Sequence, residues 1–287
     1  MNPVLSDVEV PGGALRVARF GTGPRVVVAV HGITASLMAW AGVARRLPAE
    51  WSLVAMDLRG RGHSAGLPGP YGLDRHAEDV NIVARSLGAG SGVVLAGHSM
   101  GAYVAALAAA EGDYARVVLI DGGLPMPLPP GADPDAVLEA TLGPALARLD
   151  QTFPSVDAYL DFFRAHPAFA ETWTAEVEEY VRYDARGPEG AVRSRARREP
   201  VREDGRWLLT QGEAVDAALR AITSPLSLLR APRGLLNQPV GFVPGELAAA
   251  WARRLPALED ELLDDCNHYT ILFDDRCASL VAERLSR

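Results

Sequence analysis

The sequence has few cysteines, no long apolar run and no excess of positive charge, and each shortage excludes a class of protein. Cys266 and Cys277 are the only cysteines in 287 residues, too few for a disulfide framework, and neither lies in a Cys/His cluster typical of zinc sites. No run of about 18 apolar residues is present, so we expect no membrane-spanning segment. The net charge of -8 argues against nucleic acid or an anionic membrane as the main partner. The N-terminus lacks the features of a secretory signal, and we expect a soluble cytoplasmic protein.

The composition is that of an ordinary globular protein, and the order of its apolar runs indicates the fold class. Hydrophobic residues make up 48% of the chain, which is long enough for one large α/β domain with an insertion. Short, almost entirely apolar runs are typical of central strands in a parallel sheet, and here they alternate with helical patterns. The runs are residues 26–30, 52–56, 93–96 and 117–120, and the helical patterns are residues 37–47, 75–87 and 100–111. We therefore predict an α/β fold with a doubly wound, mostly parallel sheet, preceded by a β-hairpin within residues 8–20.

This alternation stops after residue 121 and returns only near residue 225. A proline-rich stretch, residues 125–130, is followed by helical patterns at residues 134–149, 156–165, 173–183 and 212–222. A strand at 225–229, a helix at 246–254, a strand near 261–263 and a helix at 275–286 then complete the chain. We predict a core formed by residues 1–121 and 223–287 and a helical cap formed by residues 122–222. The arginine-rich stretch from Arg193 to Arg198 is predicted to be a solvated cap helix.

Residues 97–101 read Gly-His-Ser-Met-Gly, directly after an apolar strand and directly before an Ala-rich helix. In the pattern G-x-S-x-G the serine occupies a strained turn between strand and helix, and a side chain at either glycine would collide with neighbouring backbone. The turn raises the Ser99 hydroxyl above the sheet edge and directs N–H groups of the following helix towards a developing oxyanion. Ser99 is therefore the candidate nucleophile.

A second loop contains His31-Gly32-Ile33-Thr34, at the end of the strand that begins at Val26. A His-Gly pair at this position is typical of the loop that donates an N–H group to an oxyanion. We predict that the backbone amides of Ile33 and Met100 form the oxyanion hole. The side chain of His31 is expected only to make local hydrogen bonds.

With these motifs the chain resembles the α/β-hydrolase family over almost its full length. The segments that carry the resemblance are His31-Gly32, residues 57–64 (Asp-Leu-Arg-Gly-Arg-Gly-His-Ser), residues 97–101 and Asn267-His268-Tyr269. The resemblance implies that the 57–64 loop orders a turn behind the sheet edge, so Asp57 and His63 receive no catalytic role. A serine at position 99 excludes the subgroups that resemble haloalkane dehalogenases and epoxide hydrolases, which need an aspartate there.

The same resemblance implies that the acid and then the base follow the nucleophile along the chain. Only His166 and His268 follow Ser99, and His268 lies after the last strand, where the family places its base. The loop after Leu229, where most of the family carries the acid, holds no carboxylate in residues 230–239. The alternative family position is Asp121, at the end of the preceding strand, and we predict it as the acid. Weaker candidates are Glu246, Asp264 and Asp265.

These residues predict a serine hydrolase that cleaves an ester or lactone of a small apolar substrate through an acyl-enzyme intermediate, without a metal or another cofactor. The cap is expected to supply much of the substrate pocket, with these candidate lining residues: Met126, Phe153, Phe162, Phe163 and Trp173. Two alternatives remain open at this stage. One is a thioesterase or C–C bond hydrolase with the same triad. The other is a non-catalytic ligand receptor on the same fold, which the missing carboxylate after Leu229 favours. The sequence does not specify an oligomeric state.

Overall fold

The computed structural model describes residues 3–88, 90–126, 128 and 131–287. Pro127, Pro129 and Pro130 of the proline-rich stretch therefore lie outside the described residues. An eight-stranded sheet crosses the molecule in the order β1-β2-β4-β3-β5-β6-β9-β10. Its strands are β1 (Val4–Val10), β2 (Gly13–Phe20), β3 (Arg25–Val30), β4 (Trp51–Met56), β5 (Val94–His98), β6 (Arg116–Ile120), β9 (Leu226–Arg230) and β10 (Leu258–Leu262).

The strand directions confirm the predicted doubly wound, mostly parallel sheet. The β1–β2 hairpin is antiparallel, β2 pairs antiparallel with β4, and every other pair is parallel. From β3 the chain goes first to β4 on one side and then to β5 on the other side. Such a reversal leaves a crevice at the carboxyl ends of the strands, which is where open α/β sheets bind ligands.

Helices cover both faces of the sheet because its central strands are apolar on both sides. In β3, Val26, Val28 and Val30 belong to one buried cluster, whereas Val27 and Ala29 belong to the other. The helices outside the inserted segment are α1 (Ala41–Arg45), α2 (Leu73–Ser86), α3 (Met100–Glu111), α9 (Gly245–Arg254), α10 (Thr270–Phe273) and α11 (Asp275–Leu285). In the described part of the chain, no helix is long and apolar enough to cross a membrane.

Between β6 and β9 the chain leaves the main sheet, and we call residues 122–222 the inserted segment. It contains α4 (Pro134–Asp150), α5 (Val156–Arg164), α6 (Ala175–Asp184), α7 (Arg198–Thr210) and α8 (Gly212–Ala221). A two-stranded hairpin, β7 (Ala185–Arg186) with β8 (Arg193–Ser194), lies between α6 and α7. The division into core and cap at residues 121 and 223 stays a prediction.

Three local predictions were wrong or displaced. Arg193 to Arg198 is not a helix, because Arg193 and Ser194 pair in β8 and α7 begins only at Arg198. The strand near 261–263 lies earlier, at Leu258–Leu262. It reads Leu-Glu-Asp-Glu-Leu, and because exposed edge strands often carry charge, it lacks the apolar run by which the other strands were predicted. The helix at 37–47 is divided into a 3₁₀ turn, Leu37–Trp40, and α1.

Candidate active site

Ser99 lies between β5 and α3 in a conformation that few non-glycine residues adopt, with φ 56° and ψ -123°. Two glycines permit this turn. A Cβ at Gly97 would lie 2.0 Å from the Gly101 carbonyl oxygen, and a Cβ at Gly101 would lie 2.2 Å from the Val30 oxygen. Both separations are far inside van der Waals contact. The G-x-S-x-G pattern is therefore a steric requirement of this turn, and the Ser99 side chain is 8% exposed.

Sheet topology brings the predicted site residues together from distant parts of the sequence. β5 lies between β3 and β6, so Ser99 is flanked by the residues that follow those two strands. After β3 comes Gly32, where a Cβ would lie 3.2 Å from the Ser99 Cβ, and after β6 comes Asp121. His268 reaches the same edge from the loop that follows β10.

The imidazole of His268 links the serine to a carboxylate. Its Nε2 lies 2.9 Å from Ser99 Oγ, and its Nδ1 lies 2.7 Å from Asp121 Oδ2. An ionised carboxylate can only accept hydrogen bonds, so Nδ1 donates to Asp121 and Nε2 is free to accept the Ser99 hydroxyl proton. His268 is 2% exposed and Asp121 is fully buried, which excludes most competing water from this chain of hydrogen bonds.

Asp121 is held from several directions in a left-handed conformation, with φ 44°. Its backbone N–H donates to the Leu229 oxygen over 2.7 Å, and its Oδ1 accepts from the Ala231 N–H over 3.2 Å. The loop after β9, which has no carboxylate at residues 230–239, thus supplies an N–H group that orients the carboxylate of the neighbouring strand. The structure brings none of the other three candidates to His268. The side chains of Asp264 and Asp265 are 75% and 86% exposed beside Arg276, and Glu246 is exposed in the first turn of α9.

The loop that carries His268 is fixed by its neighbours. His98 Nε2 donates to the His268 carbonyl oxygen over 2.7 Å. The Asn267 amide donates to the Ala168 oxygen over 2.9 Å, while its Oδ1 accepts from the N–H groups of Tyr269 and Thr270. Burial, together with the nearby His268, lowers the pKa of His98 well below its ordinary value, so His98 is a neutral donor.

The predicted oxyanion donors are Ile33, in the loop after β3, and Met100, the first residue of α3. Both line the same cavity as Ser99. Among the described residues, neither backbone N–H group has a hydrogen-bond partner. The side chain of His31 fixes the peptide that carries the Ile33 N–H. Its Nε2 accepts from the Leu58 N–H over 3.0 Å, so Nδ1 carries the hydrogen and donates to the Gly32 oxygen over 2.7 Å. Burial lowers the pKa of His31 to about 3, which keeps it neutral.

A cavity of about 320 Å³ opens onto Ser99 and His268. The inserted segment forms one wall, which is mostly apolar: Met126, Leu128, Val137, Leu138, Thr141, Leu142, Tyr180, Gly205, Leu208 and Leu209. The opposite wall holds the Ser–His pair and His98. Leu235 and Phe242 enter from the loop after β9, and the Phe242 ring centroid is 4.7 Å from that of His268. No arginine, aspartate or glutamate lines the described part of this cavity, and the sequence contains no lysine.

Of the five residues predicted to line the pocket, the structure places only Met126 at the cavity. Phe153, Phe162, Phe163 and Trp173 do not reach it, so this part of the prediction was wrong. Phe162 packs edge to face against both Phe153 and Phe163, and Trp173 packs beneath Arg164. Their mutual packing removes them from the cavity because edge-to-face contact and burial both favour an aromatic cluster. The available signals for the true lining were the four-residue spacing of Leu138 and Leu142 in α4 and the adjacent Leu208 and Leu209 in α7.

The structure also shows a residue whose contact the sequence did not indicate. Arg61, in the 57–64 loop, is completely buried, and its Nε donates to the Ile33 oxygen over 2.9 Å. Within the described ranges, no group of three or more His, Cys, Asp or Glu side chains could hold a metal ion.

Fold and geometry together define a class of protein. The model of the Alpha/beta hydrolase family matches residues 27–283, and the chain belongs to this family. Lipase LipV of Mycobacterium tuberculosis is similar, with 30% identity over 273 residues that cover 88% of this chain and 90% of that protein.

Two further similarities differ in extent. N-formylmaleamate deformylase of Pseudomonas putida is 38% identical over 118 residues, which cover 40% of this chain and 44% of that protein. The match thus spans less than half the length of this relative. Among solved structures, E-2-(acetamidomethylene)succinate hydrolase superposes with a TM-score of 0.81 at 22% identity, over 99% of this chain and 98% of that chain. Likeness at that identity shows the fold alone.

Proposed function

We propose that this hydrolase is a serine esterase or lactonase in which Ser99 is the nucleophile, His268 the general base and Asp121 the acid of a catalytic triad. The observation that supports the proposal best is the unbroken chain from Ser99 Oγ through His268 to Asp121, with separations of 2.9 and 2.7 Å, beside a cavity. In this proposal Asp121 takes the role of the carboxylate missing after Leu229, which argues against a non-catalytic receptor.

Each residue has a defined task in this reaction. Ser99 Oγ attacks the carbonyl carbon while its proton passes to His268 Nε2, and the carbonyl oxygen becomes an oxyanion. The N–H groups of Ile33 and Met100 stabilise that charge. His268 then protonates the leaving alcohol, which in a lactone stays tethered to the acyl group. The same imidazole then deprotonates water, whose oxygen adds to the acyl carbon. The bond from that carbon to Ser99 Oγ breaks, the acid leaves, and His268 returns the proton to Ser99 Oγ. Asp121 fixes the tautomer of His268 and stabilises its charged form.

The cavity favours an uncharged acyl group. Two similar proteins are named for substrates that are carboxylates, N-formylmaleamate and (acetamidomethylene)succinate. Such a substrate would bring its charge to a wall formed by Leu138, Leu142 and Leu209, without a cation in the described lining to pair with it. Desolvating an unpaired carboxylate is costly. We therefore infer that the inserted segment acts as a cap that selects neutral, apolar acyl groups.

Labelling with a fluorophosphonate tests the nucleophile. We expect stoichiometric modification of Ser99, located by peptide mapping, because His268 makes its hydroxyl nucleophilic. Prior reaction with the probe should abolish turnover of p-nitrophenyl esters. A label on another serine, or no label on an active protein, would contradict the proposal.

A matched pair of substrates tests the acyl preference. p-Nitrophenyl hexanoate and the mono-p-nitrophenyl ester of adipic acid have acyl chains of equal carbon number, but only the second bears a terminal carboxylate. We expect kcat/KM to be lower for the charged ester by a factor of about 10 or more, since one unpaired charge must be desolvated. Equal values would show that the inserted segment does not select against charge. A series of neutral esters and lactones then identifies the preferred bond.

A further inference from the structure

The candidate oxyanion donor at Ile33 is supported by two side chains, and both belong to the described residues outside the inserted segment, which we call the sheet domain. The first is His31, whose Nδ1–H holds the Gly32 carbonyl and so fixes the peptide whose N–H belongs to Ile33. The second is Arg61, whose Nε–H holds the next carbonyl, that of Ile33, over 2.9 Å. The donor therefore lies between two anchored carbonyl groups.

Arg61 is in turn held by the inserted segment. Its Nη1 donates to the Arg59 oxygen over 2.9 Å and to Oδ2 of Asp204, which lies in α7. Both side chains of this ion pair are fully buried. Asp204 also accepts from the Gly72 N–H over 2.7 Å and from His76 Nε2 over 2.8 Å. One carboxylate of the inserted segment thus connects three groups of the sheet domain.

The pair depends on both partners because a buried guanidinium without a carboxylate is strongly unfavourable. Burial alone would raise the pKa of Asp204, but the charges of His76 and Arg61 outweigh burial and hold it below its ordinary value. Asp204 is therefore ionised at neutral pH. The same helix lines the cavity with Gly205 and Leu208. α7 therefore contacts both the cavity and Arg61, the side chain that holds the Ile33 carbonyl.

We propose that Asp204 and Arg61 are positioning residues that make the oxyanion-binding geometry at Ile33 depend on the docking of the inserted segment. This inference rests on the proposed esterase function. Loss of Asp204 frees Arg61 from its fixed position, the Ile33 carbonyl loses its anchor, and the neighbouring N–H group no longer points reliably at the oxyanion. The chemistry of Ser99 and His268 is otherwise left in place.

The chain offers a matched control two residues away. Arg59 and Asp79 form a second buried ion pair, with side chains 1% and 0% exposed. Arg59 also donates to the oxygens of Pro68 and Pro11, which belong to the sheet domain and lie outside the cavity lining. Replacing either aspartate by asparagine removes a buried charge of the same kind, but only the Asp204 carboxylate pairs with the guanidinium of Arg61, whereas Arg59 meets Arg61 through its backbone oxygen alone.

The test compares Asp204→Asn and Asp79→Asn in the full chain, using the best neutral ester. We expect Asp204→Asn to lower kcat by about 10- to 100-fold with KM changed less than about threefold, because the oxyanion forms only in the transition state. Asp79→Asn should lower the melting temperature but keep kcat within about twofold. Arg61→Lys is the second variant. It keeps the charge but lacks the fork that reaches Ile33 and Asp204 together, and it should also lower kcat.

A trifluoromethyl ketone supplies a readout that general destabilisation does not change. Ser99 Oγ adds to its carbonyl carbon, the proton passes to His268, and the ketone oxygen becomes an oxyanion in the same donor site. Its inhibition constant should rise in Asp204→Asn by about the factor by which kcat falls, while the Asp79→Asn value stays near that of the wild type.

Three results would overturn the inference while leaving the esterase proposal intact. Asp204→Asn could match Asp79→Asn in kcat and ketone affinity. It could raise KM alone. Or both Asp204→Asn and Arg61→Lys could unfold under conditions in which Asp79→Asn stays folded, which would make the pair an element of stability only. Absence of wild-type turnover and of Ser99 labelling would instead reject the proposed function itself.

Discussion

The two walls of the cavity are built by different physical means. On the wall formed by the sheet domain, Ser99, His268 and Asp121 are fixed by short directional hydrogen bonds between polar groups. On the wall formed by the inserted segment, Leu142 and Leu209 are held by apolar packing, without a charged group at the described surface. Polar contacts are specific in angle and distance, whereas apolar packing is tolerant of shape as long as volume is kept.

This difference predicts that the two walls affect different kinetic properties. Substitutions on the sheet-domain wall should act on kcat because they remove interactions made in the transition state. Substitutions on the inserted wall should change which acyl chain binds, since they alter the volume and area offered to the substrate. The first two predictions below test the polar wall, the third tests the apolar wall, and the fourth concerns the support of the polar wall.

The largest effect is expected for Ser99→Ala. Removal of the nucleophile should lower kcat by on the order of 10³-fold or more, since nucleophile and base act as a unit. Steady-state kinetics with a p-nitrophenyl ester measure the loss, and binding of a non-hydrolysable analogue should be unchanged. Residual activity within tenfold of the wild type would mean that another group attacks the substrate.

Asp121→Asn should have the next largest effect. Loss of the negative charge leaves His268 without the partner that fixes its tautomer, so kcat should fall by about 10²- to 10⁴-fold with a similar KM. Circular dichroism should show a folded protein. Glu246→Gln, Asp264→Asn and Asp265→Asn are the controls, and each should stay within about tenfold. A large loss in one of these three, with Asp121→Asn active, would reassign the acid.

On the inserted wall, Leu142→Ala should alter substrate choice rather than the chemical step. Leu142 is partly buried and lines the cavity, so truncation should favour acyl chains longer by roughly two to three carbons, at about fourfold in kcat/KM per methylene. Leu146→Ala is the control on the same helix, because Leu146 is fully buried away from the cavity. It should lower stability by about 2–5 kcal/mol without changing the ranking of chain lengths. An unchanged ranking for Leu142→Ala would show that this wall contributes to packing and does not select the acyl chain.

The smallest effect concerns pH and the neutral His31. Its ordinary pKa of 6.5 is lowered to about 3 by burial, so below pH 6.5 the unfolded chain binds a proton that the folded chain refuses. Stability contributed by keeping this imidazole neutral is therefore lost as pH falls from 6.5 towards 3. Between pH 7 and pH 5 the share of His31 in the loss should be about 2 kcal/mol in the free energy of unfolding, measured with urea as the difference between the wild type and His31→Gln. The His31→Gln protein should lose less over the same interval, and equal slopes would contradict the assignment.

Local sequence patterns were sufficient for the sheet domain. The apolar runs predicted β3, β4, β5, β6 and β9, and the predicted α/β-hydrolase fold is confirmed. Such runs are short-range signals, because a strand buried on both faces must be apolar throughout. The turn at Ser99 is equally local, since its two glycines are required by contacts within a few ångströms.

In the inserted segment the positions of most helices were predicted, but the residues that face the cavity were not. Helical patterns gave α4, α5, α6 and α8 within a few residues, but the aromatic residues chosen for the pocket pack against one another instead. Periodicity shows that a helix has an apolar face. It does not show whether that face meets another helix or an open cavity, because this depends on the docking of the whole segment.

By itself, the sequence determined the fold class, the strained turn at Ser99 and the approximate place of the histidine, since each follows from neighbouring residues. Only the tertiary structure decided that Asp121 reaches His268 and that the Ala231 N–H orients the Asp121 carboxylate. It also decided that Asp204 pairs with Arg61, the side chain that holds the Ile33 carbonyl. These contacts join residues more than 100 positions apart in sequence. The residues next to a carboxylate in the sequence do not show which group it will bind. Its partner is decided only when strand order and helix docking bring the two groups within hydrogen-bonding distance.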